Sequence, residues 1–470
     1  MKKYIKINLL FLTLVVLSAC KVSKGVQLPD TKLPATYIAT NSADTTTAAD
    51  LPWKSFFTDA VLQNLIDSAI TRNNDLQVAV KNLEAARLTL RQAKLGNVPT
   101  ADLSIAANST RPSDNSLNGL SLSQYLSGKH VEDYTASVNI SWEADVWGKI
   151  RSQKAAALAS YLQTDEARKA VQTEVVTNVS QGYYNLLMLD AQLDVARKNL
   201  RLNDSTLNIV RLQFNAGQVT LLAVQQTEAQ QQTAAQLVPQ FEQAIAVQEN
   251  ALSILAGKLP DHITRGADMA NTVVPQNLSA GVPTALLSRR PDVRSSELEV
   301  TRANANVGYN KANMYPALRI TATGGVESFK ASNWFNIPAS LFGIVAGSVA
   351  QPLLEHGQLK TQYEIAKVER EKSVIRFRQS VLVAVGEVAD ALVTIDKLNQ
   401  QQAIAANRTK TLQHATNNAN MLFRNGMANY LEVITAQSNV LQSELELVAI
   451  KKAQLDATVD LYRSVGGGWR

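Results

Sequence analysis

A single cysteine, Cys20, and four histidines are all that 470 residues offer to thiol or imidazole chemistry. Redox pairs, disulfide frameworks and zinc sites draw on clustered thiols and imidazoles, so none of them is expected. The chain also lacks a GxxxxGK[ST] loop and an HExxH helix, the signatures of phosphate cradles and zinc hydrolases. No catalytic residue and no metal ligand is therefore assigned. Apolar runs are short: none after Cys20 approaches the ~20 residues of a membrane-spanning helix, so any crossing must be made with strands. Proline is missing between Pro112 and Pro239 and again after Pro352. A proline inside a helix costs roughly 3 kcal/mol, so these gaps are where long helices fit.

Lys2, Lys3 and Lys6 precede the apolar run from Leu9 to Leu17, the pattern of a secretory signal peptide over residues 1–19. Leu17-Ser18-Ala19-Cys20 resembles a bacterial lipobox. It implies cleavage before Cys20 and a covalent lipid there, a diacylglycerol and an N-acyl chain. Each buried methylene contributes about 0.8 kcal/mol, and several chains together anchor stably. Lys21, following the cysteine, resembles the sorting signal of lipoproteins delivered to the outer membrane. Removing the leader removes three lysines and lowers the formal charge from +6 to +3, so charge gives no reason to expect a nucleic-acid partner. Residues 20–52 are rich in Thr, Ser, Ala and Asp with three prolines, which suits a lipidated, extended tether.

Beyond the tether the pattern is helical. In "FFTDAVLQNLIDSAI" the residues Val61, Leu62, Leu65, Ile66, Ala69 and Ile70 recur at three-to-four spacing. Residues 149–213, taken as one helix, would reach about 98 Å, and Leu186, Leu193, Leu200 and Leu207 within it, with Phe214 just past its end, stand seven apart. That is the spacing of helices packed side by side. A chain of shorter helices broken at Gly182 is the alternative.

The sequence also repeats itself. "FNAGQV" from Phe214 answers to "FRNGMA" from Phe423, and one offset of 209 relates Gly148 to Gly357, Gly217 to Gly426 and Gly257 to Gly466. Upstream, Leu76 to Val293 and Pro99 to Pro316 are both 217 apart, so the first copy carries a longer loop between Pro99 and Gly148. The expected division is a first repeat over 53–257, a connection over 258–288 and a second repeat over 289–470. Long helices are expected at 149–213, 219–256, 358–422 and 428–464.

Each copy holds two strand-like segments. In "YTASVNISWEADV", Tyr134, Ala136, Val138, Ile140, Trp142 and Ala144 alternate with Thr135, Ser137, Asn139, Ser141, Glu143 and Asp145. One apolar and one polar face, over this length, fit a transmembrane β-strand. Strands are expected near 101–108, 134–145, 317–326 and 341–351, the last with the poorest alternation. Glu143 and Asp145, on the polar face, are expected to line a lumen, while Tyr134 and Trp142 suit an interfacial aromatic girdle. Four strands cannot close a barrel in lipid, where open edges leave backbone groups unpaired, so a chain that spans with them must oligomerise. Two, three or four copies would bring roughly 8, 12 or 16 strands, and an open lumen favours three or more.

Four stretches carry a family resemblance: "PWKSFFTDAVLQNLI", "EADVWGKI" from Glu143, "SRRPDVRSSELEVTRANANVGYNKANMYP" from Ser288, and "GMANYLEVITAQSNVLQSELELV" from Gly426. With them the chain resembles the TolC-type outer-membrane efflux factors, in the OprM/NodT-like lipoprotein branch, over nearly its whole length. The resemblance implies an α+β membrane protein: a homotrimer whose 12-stranded barrel, four strands per chain, continues as a long periplasmic helical barrel. It implies a location in the cell outer membrane, contact with outer-membrane lipid, and two protein partners: a periplasmic membrane-fusion adaptor and an inner-membrane pump of the RND type. The function implied is passive conduction of drugs, metals or other small molecules handed on by that pump. A type I secretion exit channel and a lipid-anchored coiled-coil scaffold without a pore are the alternatives. The resemblance further implies adaptor docking at the helical turns, Asn215 and Gly217 in the first copy and Arg424, Asn425 and Gly426 in the second. It also implies periplasmic gate rings five, six and nine positions past Gly426, at Leu431, Glu432 and Thr435. Thr435 stands where an acid is common, and Ala223 where some relatives carry aspartate. Leu431 as a gate and Leu431 as a packing residue between helices are both open on sequence alone.

Overall fold

The computed structural model describes residues 48–125, 129–274 and 280–470. Cys20, the expected signal peptide and residues 20–47 of the expected tether lie outside the described residues. The chain divides into two units, one of residues 85–162 and 298–375 and another of residues 48–84, 163–297 and 376–470.

In the first unit four antiparallel strands, β1 (Thr100–Thr110), β2 (Val131–Ala144), β3 (Ala317–Ser328) and β4 (Leu341–Ala350), pair in the order β1-β2-β3-β4. Register decides which side chains share a face. Leu103 lies opposite Val138, Ile140 opposite Ala322, and Ala322 opposite Val345. One face of the sheet is thus apolar across all four strands, and among the described residues it has no cover: Val345 is 81% exposed. The other face carries Ser104, Ser137, Asn139 and Thr321, with Thr323 Oγ1 donating to Asn139 Oδ1 at 2.9 Å. β4 departs from this division, because Phe342 and Ile344 lie opposite Gly325 and Thr323 and so share the polar face. Its weak alternation in the sequence has that cause. Near the two ends of β2, Tyr134 Oη donates to Glu132 at 2.8 Å and Trp142 Nε1 to the carbonyl of Asn97 at 2.9 Å, so both rings keep a polar tip satisfied.

β2 ends at Ala144, and this corrects the placing of Asp145 on the lumen face of a strand. Asp145 accepts from the backbone N–H groups of Ile150 and Arg151, both at 2.9 Å, and so caps the helix that starts at Lys149. Glu143 pairs with Lys149 at 2.9 Å and with Arg319 at 3.4 Å. Trp147 stacks on Tyr315 at 4.9 Å and donates to the carbonyl of Pro316 at 2.8 Å. The "EADVWGKI" motif is therefore the joint that turns a strand into a helix.

Among the described residues, seven helices of three turns or more frame the rest: α1 (Ala60–Arg72), α2 (Asn74–Lys94), α3 (Lys149–Asn215), α4 (Leu221–Leu255), α5 (Pro291–Ala312), α6 (Gln358–Arg424) and α7 (Tyr430–Ser464). A short helix, Leu117–Tyr125, sits in the β1–β2 loop. α3 and α6 are each 67 residues long, and α4 and α7 each 35. At 1.5 Å per residue the long pair reach about 100 Å.

In the second unit α1 is capped by Asp59, which accepts from Val61 N at 2.7 Å, and it buries Leu62, Ile66 and Ala69. α3 runs through Gly182 without a break. A Cβ there would stand 2.8 Å from Leu252 Cδ2, and Gln248 Nε2 donates to the Gly182 carbonyl at 3.0 Å, so the glycine lets α4 approach α3 closely. Of the seven-residue series, Leu186, Leu193 and Leu207 are buried, Leu200 is half-buried and Phe214 is exposed. The segment after α4 is tied down by Arg265, which donates to Asp190 at 2.7 and 3.1 Å and also to Glu249. Tyr183 Oη donates to Asp59 Oδ2 and accepts from Gly266 N–H, each at 2.9 Å. Burial pushes that hydroxyl up to about 12, with the Gly266 bond opposing and Asp59 adding.

Arg290 of the "SRRPDVR" motif is 5% exposed. It donates to Asp292 at 3.0 and 2.7 Å, to Glu387 at 2.7 Å and to the Ser464 carbonyl at 3.1 Å. Burial pushes the Asp292 carboxyl up, and the hydrogen bonds and charge of Arg290 more than reverse this, leaving it below its ordinary value. Its contribution to stability is therefore full above about pH 4, the unfolded range, and is lost as pH falls through the depressed value. Arg290→Ala would strand the Asp292 carboxylate and the Ser464 carbonyl, leave Glu387 only Arg463 at 3.7 Å, and should lower stability by about 1–3 kcal/mol. The measurement is the urea midpoint of the detergent-solubilised protein, and an unchanged midpoint would contradict the role given to Arg290.

Candidate functional site

The two helical hairpins of the second unit turn in the same way. α3 ends at Asn215 and Gly217 takes φ 70°; α6 ends at Arg424 and Gly426 takes φ 71°. Gln218 N donates to the Gln213 carbonyl and Met427 N to the Leu422 carbonyl, both at 2.8 Å, closing each helix with a left-handed glycine. A Cβ at either glycine would meet nothing within 4 Å. Backbone conformation alone, with no crowding, holds glycine at these turns.

The helices that leave the turns differ. Asn429 Oδ1 accepts from Leu431 N at 2.9 Å and Glu432 N at 3.1 Å, whereas its counterpart Thr220 makes no side-chain cap. Val210 and Ala223 of the first hairpin pack with Phe423 and Val433 of the second in one buried cluster. Tyr430 Oη donates to Gln226 Oε1 at 2.6 Å at its edge. The two turns are thereby fixed side by side.

Around this cluster the residues singled out from sequence take distinct places. Asn215, Gly217, Arg424, Asn425 and Gly426 are all exposed. Leu431 is 54% exposed and lies outside the cluster, so it is not part of the chain's own packing. Glu432 beside it is exposed. Thr435 Oγ1 donates to the Leu431 carbonyl at 2.8 Å, so its hydroxyl is committed to its own helix. Ala223 is buried against Phe423 and Val433, a position with no room for a solvated carboxylate. Sequence reasoning named the turn residues and missed the exposed apolar side chains beside them, Leu212, Leu222, Met421 and Met427. Their signal was available: large apolar residues off the buried stripe of a polar helix end.

Chemically the site offers apolar side chains, one exposed carboxylate per chain and no constellation for bond making. Among the described residues no group of three or more His, Cys, Asp or Glu could hold a metal ion, and no helix is long and apolar enough to cross a membrane.

Comparison with known proteins gives the same picture over the whole length. Residues 65–258 and 282–467 match the family model described as outer membrane efflux protein. The chain is 28% identical to the cation efflux system protein CusC of Escherichia coli O6:H1, over 98% of each chain. It is 27% identical to the toluene efflux pump outer membrane protein TtgC of Pseudomonas putida, over 98% of this chain and 95% of that one. A crystal structure of CusC superposes with a TM-score of 0.83 at 25% identity, covering 96% of this chain and all of the other. The open state of the Neisseria gonorrhoeae MtrE outer membrane channel has the same fold, with a TM-score of 0.85 at 24% identity, covering 96% and 99%.

Ala223→Asp should lower the stability of the paired turns by at least about 2 kcal/mol, since the carboxylate would lose water without gaining a partner. Hydrogen exchange of amides in residues 205–228 should accelerate accordingly. Exchange as slow as in the parent chain would show that the cluster tolerates the charge.

Proposed function

The chain belongs to the outer membrane efflux protein family, and from that premise we propose that three copies of it close one exit channel. It is an outer-membrane channel of a tripartite efflux system, with the TolC-like fold, and not an enzyme. Such a channel works with a periplasmic adaptor and an inner-membrane pump. The observation that carries the trimer is the sheet: four strands, an uncovered apolar face and two unpaired edges, β1 and β4. Unpaired backbone groups in lipid cost several kcal/mol each, so β4 must pair with β1 of a neighbour. Twelve strands from three copies enclose an open lumen, where about eight would be filled by side chains.

The pump is of the RND type and supplies direction and energy, and the adaptor docks on the turns at Asn215, Gly217, Arg424, Asn425 and Gly426. The exposed apolar side chains beside those turns support this reading. Leu431 from three copies forms an apolar ring that narrows and dewets the periplasmic end, and Glu432 a ring that favours cations. Thr435, bonded to its own backbone, adds no third ring. Cys20 carries the diacylglycerol and N-acyl chains as a second hold on the outer membrane, beside the barrel. A cargo of cations or apolar organic molecules, chosen by the pump, is supported by relatives described as a cation efflux system protein and a toluene efflux pump outer membrane protein.

Deleting the protein should raise susceptibility to such compounds, and a crosslinked pull-down should recover an adaptor. Unchanged susceptibility to every compound tested, with no adaptor recovered, would sink the assignment. In planar bilayers Leu431→Ala should raise resting conductance and Glu432→Gln should lower cation preference several-fold. Identical conductance and selectivity in both variants would remove the gate from these residues.

A further inference from the structure

The repeat breaks its own symmetry where strands become helices. In the first copy Asp145 caps α3, while the equivalent residue 209 positions on is Leu354, and Ala144 becomes Leu353. The second joint has lost its cap. In its place stand two leucines, 86% and 95% exposed, followed by Glu355. Leucines so exposed at a strand end, beside a carboxylate without an ion-pair partner among the described residues, need a cover.

The sheet order says where the cover comes from. β1 and β4 are the two edges and run in opposite directions. In a ring of copies closed edge to edge, the end of β4 therefore lies beside the start of a neighbour's β1. The residues just before β1 are exposed too: Leu95 and Val98 offer apolar surface, and Arg91 and Lys94 are cations without an ion-pair partner among the described residues. Two apolar residues and a carboxylate, three to five positions past β4, thus lie on the flank that meets two apolar residues and two cations, two to nine positions before β1.

We propose that Leu353, Leu354 and Glu355 form a docking surface for a second copy of this chain, filled by its Leu95 and Val98, with Arg91 or Lys94 on Glu355. The proposal rests on the ring reading above and assigns its seam at the joint of strand and helix. In lipid Glu355, Arg91 and Lys94 would lose water without gaining a partner, and in water Leu353 and Leu354 would stay uncovered, which disfavours both as occupants.

The test is a set of engineered cysteine pairs in intact membranes, each joining residue 353 or 354 to residue 95 or 98, for example Leu354→Cys with Val98→Cys. Cys20 is the only native cysteine, so the parent chain and each single variant set the background. Oxidation of the double variants should give covalent dimers and trimers, and the singles should stay monomeric. Glu355→Lys should reduce the detergent-resistant trimer several-fold, and combination with Arg91→Glu and Lys94→Glu should restore it. Trimers of native mass with no crosslink in any pair would overturn this seam while leaving the ring intact. A chain that is monomeric in the membrane would overturn the ring itself, and Leu354→Cys captured on a different protein would assign the surface to another partner.

Discussion

An unpaired strand edge cannot rest in hydrocarbon, and the architecture of this protein follows from that constraint. β1 and β4 each leave a row of N–H and C=O groups without a partner strand among the described residues. No water reaches them in lipid, so the groups need a partner strand, which the proposed ring takes from another copy. Closure then sets how many strands surround the lumen, and each strand hands over to a helix that continues its path. Burial follows the same logic, for Leu186, Leu193 and Leu207 of α3 are covered inside the chain while the apolar face of the sheet has no cover among the described residues.

The chain meets this constraint by doing one thing twice. Helices of 67 and 35 residues recur in both copies, and the same glycine closes both turns. Where the copies differ, the difference has a local cause. Asn429 caps a helix that Thr220 leaves uncapped, which orders the first turn of α7 where Leu431 and Glu432 stand. Ala223 is small because Phe423 of the other copy fills the space beside it.

Much of this was legible because it is periodic. Seven-residue leucines, proline-free gaps, two-residue alternation in β2 and a constant offset between glycines are properties of spacing, and spacing survives in a linear sequence. What was not legible depended on who stands opposite. Asp145 reads as one more polar strand residue until the chain turns and its carboxylate meets two free N–H groups. β4 alternates poorly because apolar side chains occupy both of its faces, which becomes visible only once its register is known. Leu431 was undecided between gate and packing because the pattern of a helix does not say which face its neighbour takes.

The equal lengths of the paired helices carry an evolutionary consequence. Val210 and Ala223 in one hairpin must reach the level of Phe423 and Val433 in the other, some fifty or more residues from where α3 and α6 begin. Gaining a single residue within α6 alone would advance its end by about 1.5 Å and rotate it by roughly 100°, taking Phe423 out of the cluster. Changes of length in the two copies are therefore coupled, so that the duct can lengthen or shorten over time only by matched insertions or deletions. Loops such as the one between β1 and β2 stand outside that coupling, and that is where the two copies have been free to drift apart in size.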